Sequence, residues 1–240
     1  QAVLSEWADG KRVVVAVMPT GAGKTVLLSD IFKNHQGASC VIAHRQELVS
    51  QISLALAREG LMHRIIGPDS IVKLCVSLHM SEVGRSCFSP SAHCAVAGVD
   101  TLIRREKELA HWLPSVTLWA IDEFHHTVLE NKWGKAVEMF TNAKGLGVTA
   151  TPMRADGKGL GRHADGVADS MVEGPSMRWL INEGYLTEYR VFAPPSDLDL
   201  SEVKIGATGD YSHDSLVTAT RKSHVMGDVV EHYLRIAPGK

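Results

Sequence analysis

A glycine-rich segment near the start of the chain has residue types suited to holding phosphate groups. It reads MPTGAGKT over residues 18–25, follows the valine-rich run 12–17 and precedes the apolar run 26–32. A strand that feeds a tight glycine turn and then a helix aims several backbone N–H groups, and the positive end of the helix dipole, at one point. Gly21 and Gly23 would let the backbone approach a di- or triphosphate, because no Cβ stands in the way.

The side chains of this segment have distinct expected roles. Lys24 would reach the β- and γ-phosphates, and the Thr25 hydroxyl would bind Mg²⁺. The other residues of the predicted phosphate-binding loop are Met18, Pro19, Thr20, Gly21, Ala22 and Gly23. The general pattern G-x-x-x-x-G-K-[ST] begins with glycine, where this chain has Met18. A chance glycine turn is the alternative, and the flanking strand and helix argue against it.

A second apolar run ends in two adjacent carboxylates. It reads LWAIDEFHH over residues 118–126. Asp122, at the strand tip, would hold Mg²⁺, usually through water, and Glu123 would orient and deprotonate an attacking water molecule. Helix capping is the alternative for an acidic strand end taken alone. The upstream phosphate loop favours the catalytic interpretation, whereas a local hydrogen bond is the default expectation for His125 and His126.

The elements that must position these residues follow from the alternation of apolar and helical segments. Short runs rich in Val, Ile and Ala predict buried strands, and the helix-like stretches between them predict an α/β fold with a parallel β-sheet flanked by helices on both faces. The predicted strands are 13–17, 39–44, 94–99, 116–122, 144–150 and 189–194. The predicted helices are 24–35, 45–60, 100–113, 131–143 and 224–236.

Two stretches fit this alternation poorly. Residues 67–93 are mixed in polarity and carry two of the four cysteines, so we expect an insertion there. Residues 154–166 combine several glycines with several charges, which predicts a mobile surface loop.

The composition limits the classes of partner. The net charge is −2 and the apolar fraction is 45%, so any nucleic-acid binding must be local rather than a property of the whole surface. Four cysteines without a C-x-x-C pair favour reduced structural thiols in a cytoplasmic protein over a zinc site. No signal peptide is visible in this sequence and no apolar run reaches membrane-spanning length, so we expect no membrane partner. The chain starts at Gln1 without methionine, and we expect it to be part of a longer protein.

Five segments in this order resemble motifs of superfamily 2 helicases and translocases, the DEAD/DEAH-box group. They are 18–25 (motif I), 43–51 (motif Ia), 96–105 (motif Ib), 122–125 (motif II) and 148–152 (motif III). A leading Met-Pro-Thr-Gly is common in that superfamily. The combination of DEFHH with TATPMRADGKGLG is most similar to the branch that holds ResIII-type restriction helicases and related phage enzymes, so a bacterial or phage origin is expected.

This resemblance implies a fold and an organisation. Residues 1–198 would form the first, ATP-binding lobe of two RecA-like P-loop NTPase lobes. Residues 199–240 would form a linker and a helix that lead into the second lobe. That lobe carries the arginine finger, and its Q-x-x-G-R-x-x-R pattern does not occur in this chain. We therefore expect these 240 residues alone to bind nucleotide weakly and to hydrolyse it slowly.

The resemblance also implies individual roles. The lobe would hydrolyse ATP with Mg²⁺ and act on a single strand of nucleic acid, DNA rather than RNA. His125, Thr149 and Thr151 would couple the phosphate state to the nucleic-acid surface. The residues beside the phosphodiester backbone would be Arg45 and Thr101, with Arg104 and Arg105 as weaker candidates. For Arg104 and Arg105 the alternative is a solvated helix face. For Thr149 and Thr151 it is a turn after a buried strand.

Two other functions stay open on the sequence. One is a nucleotide-dependent binding or switch module that lacks turnover, although such a module would not need a base at Glu123. The other is the motor subunit of a restriction endonuclease, which would differ only in the domains attached to it.

Overall fold

The central element of the protein is a seven-stranded sheet in which every adjacent pair of strands is parallel. The computed structural model describes residues 1–43, 45–154, 157–192, 198–204, 211–222 and 225–237. The strands are β1 (Val13–Val17), β2 (Ala38–Ala43), β3 (His63–Ile66), β4 (Cys94–Gly98), β5 (Val116–Asp122), β6 (Lys144–Thr149) and β7 (Ser170–Glu173). Their order across the sheet is β3-β4-β2-β5-β6-β1-β7, which confirms the predicted α/β parallel-sheet architecture.

Helices cover both faces of the sheet, and each face has its own apolar core. The helices are α1 (Ala2–Ala8), α2 (Lys24–Asn34), α3 (Gln46–Arg58), α4 (Asp69–Val83), α5 (Val99–Arg104), α6 (Glu106–Leu109), α7 (Lys132–Glu138) and α8 (Met177–Asn182). Alternate residues of β1 point to opposite faces, as the pleat requires. Val14 belongs to the core that contains Leu28 and Leu56 from α2 and α3, whereas Val15 belongs to the core that contains Trp133 from α7.

The chain divides into two compact units. The first comprises residues 1–154 and 158–186, and the second comprises residues 155–157 and 187–240. Described helices of the second unit are α9 (His213–Lys222) and α10 (Val225–Ile236), and the latter matches the helix predicted at 224–236. The assignment of residues 1–198 to an ATP-binding domain and of 199–240 to a linker and helix stays a prediction.

Some segments differ from the sequence prediction. Residues 67–93 are not an insertion, because α4 lies within them and forms the ordinary crossover between the parallel strands β3 and β4. The strand predicted at 189–194 is absent from residues 189–192, and residues 193–194 lie outside the described residues, as does His44 at the end of a predicted strand. Within the predicted loop 154–166, residues 162–164 form one turn of 3₁₀ helix, while 155 and 156 are not described.

Two buried histidines, one in β3 and one in α4, share one serine of α3. Ser53 Oγ lies 2.7 Å from His63 Nε2 and 3.0 Å from His79 Nε2. His63 Nδ1 donates to the Leu61 carbonyl at 2.9 Å, and His79 Nδ1 accepts the N–H of Cys87 at 3.3 Å. All four hydrogen bonds can form together only when both imidazole rings are neutral. His79 Nε2–H then donates to Ser53 Oγ, and the serine hydroxyl donates to His63 Nε2. Burial lowers the pKa of His63 to about 4 and also lowers the pKa of His79.

This network makes stability depend on pH. The folded-state pKa of His63 lies below its ordinary value of 6.5, so its contribution is complete above pH 6.5 and is lost as the pH falls towards 4. We expect the free energy of unfolding to fall by on the order of 3 kcal/mol across that window. Urea unfolding at several pH values measures this change in the free energy of unfolding. His63→Asn, which cannot titrate, should flatten this part of the profile, whereas the exposed His111 replaced by Asn should not. An unchanged profile in His63→Asn would contradict the assignment.

Candidate functional site

The segment after β1 forms a tight loop that opens α2. Met18 N–H still donates to the Thr149 carbonyl at 2.9 Å, so the β1–β6 ladder continues one residue beyond β1. The turn begins after it, and Ala22 N–H donates to the Pro19 carbonyl at 3.1 Å. Gly21 and Gly23 have φ of +81° and +87°, which L side chains rarely adopt. Glycine is therefore required at these two positions and not at Met18, which explains the departure from the general pattern.

Lys24 and Thr25 occupy the first positions of α2. Lys24 is half-buried, and its Nζ lies 3.4 Å and 3.5 Å from the carbonyl oxygens of Met18 and Pro19. The Thr25 side chain is exposed, as is Thr20 within the loop. Gly23 is the N-cap of α2 and supplies no side-chain hydrogen bond. The first N–H groups of an eleven-residue helix therefore point to the space above the loop.

The acidic pair ends β5 at the same edge of the sheet. Asp122 is the last residue of β5 and pairs in register with Val148 of β6. Its Oδ1 accepts the N–H of Glu123 at 2.9 Å. Glu123 has φ of +54°, a left-handed conformation that is costly for a residue with a Cβ. Such strain is typical of residues whose side chains are held in place for a function.

Phe124 anchors this turn beneath β6. Its ring is fully buried and stacks on Trp119 at a centroid distance of 6.5 Å. A Cβ on Gly147 would lie 2.5 Å from the Phe124 ring, so β6 must have glycine where the ring passes under it. The buried ring therefore fixes the backbone of its two neighbours in the chain, Glu123 and His125.

A hydrogen-bonded chain joins the acidic turn to the segment after β6. His125 Nδ1 lies 2.9 Å from Thr149 Oγ1 and 3.4 Å from Glu123 Oε2. Thr149 Oγ1 donates to the Thr151 carbonyl at 3.2 Å and accepts the Thr151 N–H at 3.1 Å. Because the threonine hydroxyl proton is already used, His125 Nδ1 must be the protonated nitrogen. The three predicted coupling residues are thus in direct contact.

These parts lie at the ends of three neighbouring strands. β6 lies between β1 and β5, and Val17 pairs with Thr149 while Asp122 pairs with Val148. Two strand spacings, about 10 Å, therefore separate the phosphate loop from the acidic pair. A triphosphate fits between them. The carboxyl edge of a parallel sheet is also where open α/β folds bind ligands.

The predicted nucleic-acid contacts lie further along the same edge. Arg45 is the N-cap of α3, after β2, and Thr101 lies in α5, after β4; the two strands are neighbours. Arg45 and Arg104 are exposed, whereas the Thr101 side chain is only 9% exposed. Arg105 lies 4.0 Å from Glu108. Neighbouring strand ends therefore bring these residues to one side of the acidic pair, while their binding role stays a prediction.

Sequence reasoning missed the other flank of the phosphate loop. Gly174, after β7, donates its N–H to the Val17 carbonyl at 2.8 Å, and Leu186 packs against Gly21. No motif marks this segment, although the stretch 176–182 begins with a serine that caps a short helix.

The donor set fits a magnesium nucleotide. Hydroxyl and carboxylate oxygens, the hard ligands that Mg²⁺ prefers, are supplied by Thr25 and Asp122. The concave loop has no Cβ at Gly21 or Gly23, which leaves room for phosphate oxygens close to the backbone. In the described part of the chain, no helix is both long and apolar enough to cross a bilayer.

The sheet, the glycine loop and the acidic strand end define the class of RecA-like P-loop NTPase lobes. The chain belongs to the ResIII family, described as "Type III restriction enzyme, res subunit", whose model matches residues 1–154. It is accordingly a first lobe of the superfamily 2 helicase type, as the sequence motifs predict.

One of two curated relatives and a solved structure carry helicase descriptions. A 51.5 kDa protein of a Lactococcus phage (isolate 7-9) is 31% identical over 225 residues, covering 92% of this chain and 41% of that protein. The Schizosaccharomyces pombe protein irc3, a proposed mitochondrial ATP-dependent helicase, is 31% identical over 172 residues, covering 66% of this chain and 26% of that protein. The Pyrococcus furiosus Hef helicase domain matches with a TM-score of 0.51 at 19% identity, covering 72% of this chain and 37% of that one, which shows the fold alone. The chain thus spans less than half the length of these curated relatives.

Proposed function

We propose that this lobe binds ATP with Mg²⁺ and hydrolyses it to ADP and phosphate, as the ATP-binding half of a motor that moves on single-stranded nucleic acid. The observation that carries the proposal is the placement of the phosphate loop, the His125–Thr149 contact and the acidic pair on adjacent strand ends. The motor subunit of a restriction endonuclease would use the same lobe with other domains attached.

Each residue has a role in this reaction. The loop N–H groups and Lys24 hold the phosphates and stabilise charge on the transferring phosphoryl group. Thr25 and Asp122 would hold Mg²⁺, which neutralises negative charge on the β- and γ-phosphates when bound. The Glu123 carboxylate takes a proton from water as the water oxygen bonds to the γ-phosphorus and the bond from that phosphorus to the β–γ bridging oxygen breaks.

The contacts that run from Glu123 through His125 and Thr149 to Thr151 supply the coupling. A change at the γ-phosphate alters what Glu123 contacts, and His125 transmits that change through Thr149 to the segment after β6. Arg45 and Arg104, exposed on the same edge, would contact the phosphodiester backbone, together with helix N-termini.

Phosphate release at saturating MgATP tests the proposal. A longer chain that includes the second lobe should turn over ATP roughly 10³ to 10⁵ times faster than the 240-residue chain, because the arginine finger is worth that factor in P-loop enzymes. Single-stranded DNA should stimulate the longer chain more than RNA of equal length. Brisk DNA-stimulated turnover by the short chain would contradict the dependence on a second lobe, and absence of turnover in both would leave only a binding module.

A further inference from the structure

The segment that follows β7 forms one wall of the phosphate loop. A Cβ on Gly174 would lie 2.8 Å from Met18 Cγ, and a Cβ on Gly21 would lie 2.8 Å from Leu186 Cδ2. Met18 and Gly21 therefore both have residues of this segment in direct contact. Residues 174–186 lie on the side of β1 opposite to β6 and the acidic pair, because β7 is the edge strand beside β1.

Two aromatic side chains in this wall face solvent. Trp179 and Tyr185 stack at a centroid distance of 5.9 Å with an angle of 24° between their planes. They are 47% and 71% exposed, so the outer faces of the two rings are accessible to a ligand.

The backbone holds the Trp179–Tyr185 pair in place. Ser176 Oγ accepts the Trp179 N–H at 3.2 Å, and the carbonyl of the buried Leu180 accepts the N–H groups of Tyr185 and Leu186 at 2.9 Å and 3.1 Å. The same turn that seats Leu186 against Gly21 therefore fixes Tyr185 one residue away.

The direction of a bound nucleotide follows from the order of the strands. The roles proposed for Asp122 and Glu123 put its γ-phosphate towards the end of β5, so the nucleoside would leave the loop on the β7 side. We propose that the exposed face of the Trp179–Tyr185 pair stacks against the purine base of the nucleotide bound in the loop. This rests on the proposed nucleotide binding and adds the subsite that receives the base.

The experiment compares two ligands that differ in the base. Calorimetry on the 240-residue chain with Mg²⁺ measures Kd for ATP and for inorganic tripolyphosphate, in the wild type and in Trp179→Ala and Tyr185→Ala. Because a base–aromatic stack is lost, each substitution should weaken ATP binding roughly 5- to 100-fold and leave tripolyphosphate binding unchanged. Tyr185→Phe should behave as the wild type, since the ring is kept. Met80→Ala is the control for loss of an exposed apolar side chain, because Met80 lies on the exposed side of α4.

Each outcome of this comparison either supports or overturns the proposed base subsite or the nucleotide site on which it rests. Unchanged ATP binding in both alanine variants overturns the base subsite, as does an equal loss for ATP and tripolyphosphate, which would mean that the loop itself is disturbed. Binding of neither ligand by the wild type overturns the proposed nucleotide site instead. Selective loss for ATP with rescue by Tyr185→Phe supports the subsite.

Discussion

Lys24→Ala should remove measurable ATP binding. The ammonium group is the cation that the loop offers to the β- and γ-phosphates, and truncating one partner of such a close charge pair costs several kcal/mol. We expect Kd for MgATP to rise roughly 100-fold or more. In the ligand-free protein, Lys24 Nζ makes contacts of 3.4 Å and 3.5 Å with two carbonyls of its own loop, so the substitution should hardly affect folding.

Lys33→Ala is the matched control, because Lys33 lies on the same helix and pairs with Glu59 at 2.8 Å on the surface. That exposed pair contributes little to stability, and the variant should bind nucleotide as the wild type does. Equilibrium titration with a fluorescent ATP analogue measures both variants, and circular dichroism checks that they fold. If Lys24→Ala bound within threefold of the wild type, the loop would not be a phosphate site.

The buried strands of the sheet were the most predictable part of the fold. β1 and β5 are continuous apolar runs because both of their faces pack against helices. β3 and β7 escaped prediction because they are four-residue edge strands: β3 carries His63 and Arg64, and β7 is half exposed. The histidine is compatible with a buried strand only because Ser53, from α3, bonds to its ring.

The candidate site was predictable where a motif demands particular residues and not where packing alone decides. Gly21 and Gly23 could be predicted because their positive φ values disfavour every other residue type. Asp122 could be predicted because an acidic residue at the tip of a buried strand is unusual. The contact of Leu186 with Gly21 depends on the order of β6, β1 and β7 across the sheet, which no local pattern specifies. The binding role of Arg45 and Arg104 could not be established in this way, because exposure alone does not show what a cationic side chain binds.

Glu123→Gln should separate binding from chemistry. The amide has nearly the same shape as the carboxylate, but it cannot accept the proton of the attacking water, so the hydrolysis rate should fall roughly 10²- to 10⁴-fold. ATP binding should be preserved, because the loop N–H groups and Lys24 are untouched. Single-turnover phosphate release and the same titration measure the two quantities. The exposed Glu130 replaced by Gln serves as the control for the loss of one negative charge.

The backbone of Glu123 sharpens this prediction. Glutamine at φ of +54° has the same steric cost as glutamate, so Glu123→Gln keeps the strained turn that Phe124 anchors, and any loss of rate reports the missing carboxylate. Glu123→Gly would instead relieve the strain, and it should raise the free energy of unfolding while hydrolysis is lost. Greater stability with less activity is the pattern expected when a strained backbone is maintained for catalysis. Equal hydrolysis rates in Glu123→Gln and the wild type would remove Glu123 from the reaction, and the strain would then need another explanation.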